Sequence, residues 1–133
     1  MLFLGTKKFP KEDAYNVYLQ SHGGTHNAYT TLDHTTYMFD VVAPYLKGAL
    51  EIFSQFFVEP LFDESCVNRE LQAVHSEHSK NVVSDLRRMH RLNQMLASKN
   101  HPFRKFSTGS NETLTVHADL REQVKQFWNT HYS

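Results

Sequence analysis

The sequence predicts an α+β fold in which an antiparallel β-hairpin or small sheet packs against several helices, one of them long. Three patterns predict it. Thr35 to Val42 alternates Tyr37, Phe39 and Val41 behind a turn, the period of a half-buried strand. Leu46, Ala49, Leu50, Phe53, Phe56 and Phe57 fall at i, i+3, i+4 and i+7 spacings, the period of an amphipathic helix. From about 64 to 97 a single apolar stripe runs without proline or glycine.

Taken in order, Met1 to Leu4 is a short apolar run that reads as the end of a helix. Gly5 is placed to stop it in the left-handed conformation, and Pro10 turns the backbone away. Four residues cannot nucleate a helix alone, so the chain is expected to begin inside a longer element. Lys11 to His22 carries Ala14, Tyr15, Tyr18 and Leu19 at helical spacing and stops at Gly23-Gly24. Thr25 to Thr31 is polar and β-capable, Leu32 to His34 is a turn, and Thr35 to Val42 completes the hairpin. The first arm lacks apolar alternation, which places it at a sheet edge. The helix after Pro44 ends by Pro60. Asp63 or Ser65 can cap the long helix, whose stripe is Val67, Leu71, Val74, His78, Val82, Leu86, Met89 and Leu92. A loop from His101 through Asn111 leads to a last helix with Leu120, Val124, Phe127, Trp128 and His131 on one side. A two-stranded hairpin is marginal alone, so further strands are expected from sequence outside these residues. The 133 residues read as a single partial domain.

The composition excludes several functions. Fourteen basic residues balance fourteen acidic ones, which gives no electrostatic case for nucleic acid or an anionic membrane. No stretch approaches the roughly 20 apolar residues of a membrane span. The lone Cys66 cannot form an internal disulfide; a reducing compartment, most simply the cytoplasm, is the expected location. Cys66 itself reads as a small half-buried apolar residue rather than a nucleophile.

Two carboxylates are placed by the helical period. Glu70 and Glu77 lie within about 20° of each other on one face. With Val67 at zero, the stripe spans about 340° to 40° and the glutamates sit near 280° to 300°, at its border. Such a carboxylate is either a solvated charge at the core margin or a group aimed into a half-buried site. Sequence physics alone favours the first. His75-Ser-Glu-His78 resembles a metal chelate, but His75 near 80°, Glu77 near 280° and His78 near 20° cannot converge on one ion from a straight helix.

Several segments in register resemble the insulinase/pitrilysin family of zinc metallopeptidases. They are Met1-Leu-Phe-Leu-Gly-Thr-Lys-Lys-Phe-Pro10, Gly23-Gly-Thr-His-Asn-Ala-Tyr-Thr30, Pro60-Leu-Phe-Asp63, Arg69-Glu-Leu-Gln-Ala-Val74 with Ser76-Glu-His78, and His101-Pro-Phe-Arg-Lys-Phe106. The similarity covers essentially the whole chain and only part of the first domain of a much longer family protein. The family is built on an inverted zinc motif, H-x-x-E-H, with two histidine ligands and a glutamate base. In family members that motif ends directly before the segment matching Met1.

The resemblance implies peptide hydrolysis with Zn2+ as cofactor, in an enclosed chamber. It makes Glu77 the third zinc ligand and Glu70 a supporting residue behind it. It makes Asn27, Ala28 and Tyr29 a rail to which peptide substrates add as a strand, and Phe3 a residue lining the site. Read as residues only, Asn27 is a turn-prone polar residue, and Tyr29 and Phe3 are packing aromatics. The sequence also departs from the family, because H-x-x-E-H occurs nowhere in it. No catalytic residue is therefore expected here, nor stoichiometric zinc or peptidase activity from these residues alone. The alternative is a non-catalytic scaffold or peptide-binding subunit of the same family. Expected partners are peptides, the missing upstream and C-terminal domains, and a second copy through uncovered apolar faces.

Overall fold

The computed structural model describes residues 2–106, 108–116 and 119–132. Its elements are α1 (Ala14–Ser21), β1 (Thr25–Thr30), β2 (Thr35–Asp40), a 3-10 turn (Ala43–Tyr45), α2 (Leu46–Gln55), α3 (Glu64–Val82), α4 (Asp85–Leu96), a second 3-10 turn (Pro102–Arg104), α5 (Asn111–Leu114) and α6 (Leu120–His131). The class is the expected α+β, with a two-stranded antiparallel sheet. Two compact units form: residues 1–66 with 121–133, and residues 67–120.

The first unit is built on aromatic packing. Leu2, Tyr15, Leu19, Ala49, Ile52, Phe56 and Phe62 are buried, and Phe3, Tyr37, Phe39, Phe53 and Trp128 pack against them. β1 and β2 pair Thr25 with Asp40 through Thr30 with Thr35. This register turns His26, Tyr37 and Phe39 toward the core, and Asn27, Tyr29 and Met38 toward solvent. Gly23, with φ of 64°, lets the chain leave α1, and the Gly24 N–H returns to the Leu19 carbonyl at 2.8 Å. Gly5 adopts a φ of 83°, as its position predicts. Residues 2–4 before it form a turn and bend, not a helix, and Met1 lies outside the described residues. The strand-like exit is tied down: the Lys7 N–H donates to the Glu59 carbonyl at 3.0 Å and the Leu61 N–H to Gly5 at 3.3 Å.

α1 begins at Ala14, the first residue of its apolar spacing, and not at Lys11: residues 11–13 form a turn in which the Ala14 N–H donates to the Lys11 carbonyl at 3.2 Å. The helix after Pro44 stops at Gln55, and single turns carry the chain on toward Pro60.

The second unit corrects the sequence reading. The helix expected over 64 to 97 is two helices, broken at Val83 and Ser84. Ser84 is extended, with φ of −89° and ψ of 117°, and its carbonyl accepts the Arg88 N–H at 2.9 Å, opening α4. The sequence there is Asn81-Val-Val-Ser-Asp85: two β-branched residues with low helix propensity, then a residue type favoured at helix starts, then an acid for the first turn. Neither proline nor glycine is needed for such a break. The apolar stripe breaks with it. Val67 and Leu71 are buried, whereas Val82, Leu86, Met89 and Leu92 are mostly exposed. α4 instead buries Gln94, a polar residue, at 2% exposure.

Candidate functional site

The free edge of β1 follows from the hairpin closure. The Thr31 N–H donates to the His34 carbonyl at 2.8 Å, which fixes the alternation of bonded and non-bonded pairs. His26, Ala28 and Thr30 fall in the non-bonded pairs with Phe39, Tyr37 and Thr35, so their backbone groups point away from β2. Among the described residues no third strand meets them. Asn27, Ala28 and Tyr29 are all exposed. The Asn27 Oδ1 accepts the Ala28 N–H at 2.8 Å, so one outward donor is engaged locally. At the strand start, Thr25 donates from its N–H and its Oγ1 to the two Asp40 carboxylate oxygens, at 3.1 and 2.5 Å.

Phe3 stands behind this strand. Its ring centroid lies 4.8 Å from His26, 5.3 Å from Phe56, 5.5 Å from Tyr37 and 5.6 Å from Tyr15. The residue is half-buried. Burial among these rings lowers the His26 pKa below the usual histidine value, which favours the neutral imidazole. Burial pushes the Tyr15 phenol well above the usual tyrosine range, and its hydroxyl has no partner among the described residues.

Glu70 and Glu77 lie in the second unit, on the unbroken part of α3, so the heptad spacing does place them on one helix face. Their exposure differs. Glu77 is exposed and Glu70 half-buried. No group of three His, Cys, Asp or Glu side chains able to hold a metal occurs among the described residues. Tetrahedral zinc needs at least three protein ligands. The donors among the described residues therefore do not fit a zinc ion by themselves, and of them Glu77 would contribute one ligand.

His75 and His78 have other work. The His75 Nδ1 accepts the Asn111 N–H at 3.2 Å, at the start of α5. The His78 ring meets Phe106 edge-on at 5.4 Å, and its Nδ1 lies 3.4 Å from the Thr108 Oγ1. Both histidines hold the segment after the second 3-10 turn against α3. Their divergent helical angles argue against a chelate, and the structure shows what each ring meets instead. Cys66 is buried, as its small apolar reading suggests. No described helix is long and apolar enough to cross a membrane.

Known proteins match the whole chain. The family profile described as Insulinase (Peptidase family M16) matches residues 1–100. Insulin-degrading enzyme of Bos taurus is 49% identical across 100% of this chain and 14% of that protein. The putative zinc protease mug138 of Schizosaccharomyces pombe is 46% identical over the same shares. The crystal structure of pitrilysin superposes with a TM-score of 0.90 at 33% identity, covering 100% of this chain and 14% of pitrilysin. The chain thus spans about one-seventh of the length of these relatives. On both sequence and fold, it belongs to the insulinase family of peptidases, M16.

Proposed function

We propose that this chain forms part of a zinc metalloendopeptidase that hydrolyses peptides in an enclosed chamber. Its contribution is the peptide rail and one metal ligand. The observation that carries the rail is the outward-facing backbone of Ala28 and Thr30 on the outer edge of β1, which no third strand meets among the described residues. An extended peptide adding there gains main-chain hydrogen bonds that tolerate many side chains. Glu77 is the ligand that the family resemblance implies; it stands on the continuous part of α3, with the supporting Glu70 one heptad before it on the same face. Zinc, when held with the remaining ligands, polarises the scissile carbonyl and activates water. The residues here orient substrate and offer one carboxylate; none is placed as the base. Asn27 and Tyr29 flank the strand position that substrate would meet, and Phe3 supports it from the core side.

A second reading is favoured by the absence of a three-donor cluster among the described residues. On its own, the chain then binds peptide without cleaving it, as a non-catalytic subunit of the same fold.

Zinc calorimetry on the chain separates the two, since zinc binding that is independent of Glu77 favours the second, and a fluorogenic peptide assay tests the lack of cleavage that both expect. Weak zinc binding, abolished by Glu77→Gln, together with peptide binding but no cleavage, is the expected result. One equivalent of tightly bound zinc with chelator-sensitive cleavage would overturn the division of labour. Absence of any peptide binding at β1 would remove the rail.

A further inference from the structure

The second unit contains a cavity of about 400 Å³ between the C-terminal turns of α3, the helix α4, and Phe106 and Thr108. That volume suits a small molecule. Its walls are mainly apolar, from Val82, Leu92, Met95 and Phe106, and among the described residues no carboxylate lines it. The cationic groups are arginines of α4. Arg91 is half-buried, its Nη1 donating to the Gln94 Oε1 at 3.3 Å and to the Arg104 carbonyl at 3.2 Å. Its guanidinium carbon lies 5.4 Å from the centroid of the Phe106 ring.

Every one of these partners is neutral. A guanidinium on a half-buried residue, held by neutral acceptors and an aromatic face, keeps its charge, and among the described residues the lining offers no anion to pair with it. Arg88 differs, since it pairs with Asp85 at 3.3 Å in solvent. Arg87 is exposed at the rim and adds a second positive charge. The charge is also local: residues 85–106 contain six Lys and Arg against one acid, in a chain balanced overall.

We infer that this cavity is a binding site for a small amphiphilic carboxylate. Its head pairs with Arg91, and its apolar chain lies against Met95, Leu92 and Phe106. A planar guanidinium matches a carboxylate with two parallel hydrogen bonds. A monoanion suits such walls better than a dianion, whose desolvation costs more. The site is separate from the proposed metal ligand, because it opens on the His78 side of α3, about 100° around the helix from Glu77.

The test titrates the chain with octanoate and, in parallel, with 1-octanol, following backbone amides and the Arg91 Nε–H by NMR. Octanoate should shift Leu92, Met95 and Phe106 saturably at one site, and 1-octanol should bind about 10-fold more weakly or worse, as expected for a charge-assisted hydrogen bond. Arg91→Gln should bring octanoate down to the level of the alcohol and leave the alcohol unchanged. If that variant loses its native spectrum, Arg87→Ala serves, with an expected loss of about 2- to 5-fold for octanoate alone. Equal affinity for acid and alcohol would overturn the proposal. So would the absence of saturation by about 10 mM, shifts centred elsewhere, or folded charge variants that bind octanoate normally.

Discussion

Replacing Phe3 by alanine tests whether the residue is primarily a packing element of the first unit. The ring lies within contact range of Tyr15, His26, Tyr37, Phe53 and Phe56, at centroid distances from 4.8 to 6.4 Å. A fully buried Phe→Ala change costs about 3–5 kcal/mol. Phe3 is only half-buried, so the transfer part is reduced, to about 2–3 kcal/mol with its aromatic pairings included. The assay is urea unfolding, comparing midpoints at an unchanged slope. Phe3→Leu keeps much of the buried area and loses the ring pairing, so it should cost about 1 kcal/mol. A Phe3→Ala loss below about 0.5 kcal/mol would refute the reasoning, because surface substitutions fall in that range. Phe3 would then owe its place to the site and not to the core.

Three further outcomes follow from particular contacts. Tyr37→Phe removes the 2.8 Å hydroxyl bond to Tyr132 and should cost about 0.5–1.5 kcal/mol, with Tyr132→Phe giving little more on top in a double-mutant cycle. Because burial lowers the folded-state His26 pKa, the unfolded chain binds the proton more readily. Stability is therefore full above the unfolded histidine value near 6.5 and falls as the pH drops through the folded one; unfolding midpoints at descending pH should show this, and His26→Phe should flatten the curve. Leu86 and Leu96 of α4 are 78% and 75% exposed, so the chain should self-associate with rising concentration. Sedimentation should show a return to monomer in Leu86→Glu/Leu96→Glu, and a wild-type monomer at high concentration would count against the face.

The hairpin, α2 and α6 were legible because each follows one period, although the marked faces are covered only in part. α2 with its C-cap buries Ala49 and Phe56 but leaves Leu46 and Leu50 exposed, and α6 half-buries Val124 and Trp128 while Phe127 is 58% exposed. The long helix misled for a physical reason. A stripe of spacing carries no information about a local break when the break is made by low propensity at Val83 and a start-favouring Ser84, with neither proline nor glycine to mark it. Beyond the break the same spacing pointed outward, and α4 buried Gln94 and half of Arg91 in place of leucines. The arginine cavity was hidden for that reason, since its members look like an ordinary solvated face. Of the candidate site, helical angles found Glu70 and Glu77, yet angle alone could not assign either a metal. Asn27, Ala28, Tyr29 and Phe3 drew notice only through resemblance to the family. Their exposure and packing then explain why spacing was silent about them.

The interruption at Val83 and Ser84 also separates two mechanical parts. With the hydrogen-bond ladder cut there, torque from tilting α4 is not transmitted along a continuous rod into α3. The helix that carries Glu77 and the arginine-bearing helix beyond the joint are thus separate hydrogen-bonded segments. Evolution can retune α4 residue by residue without re-pointing the carboxylate two turns upstream.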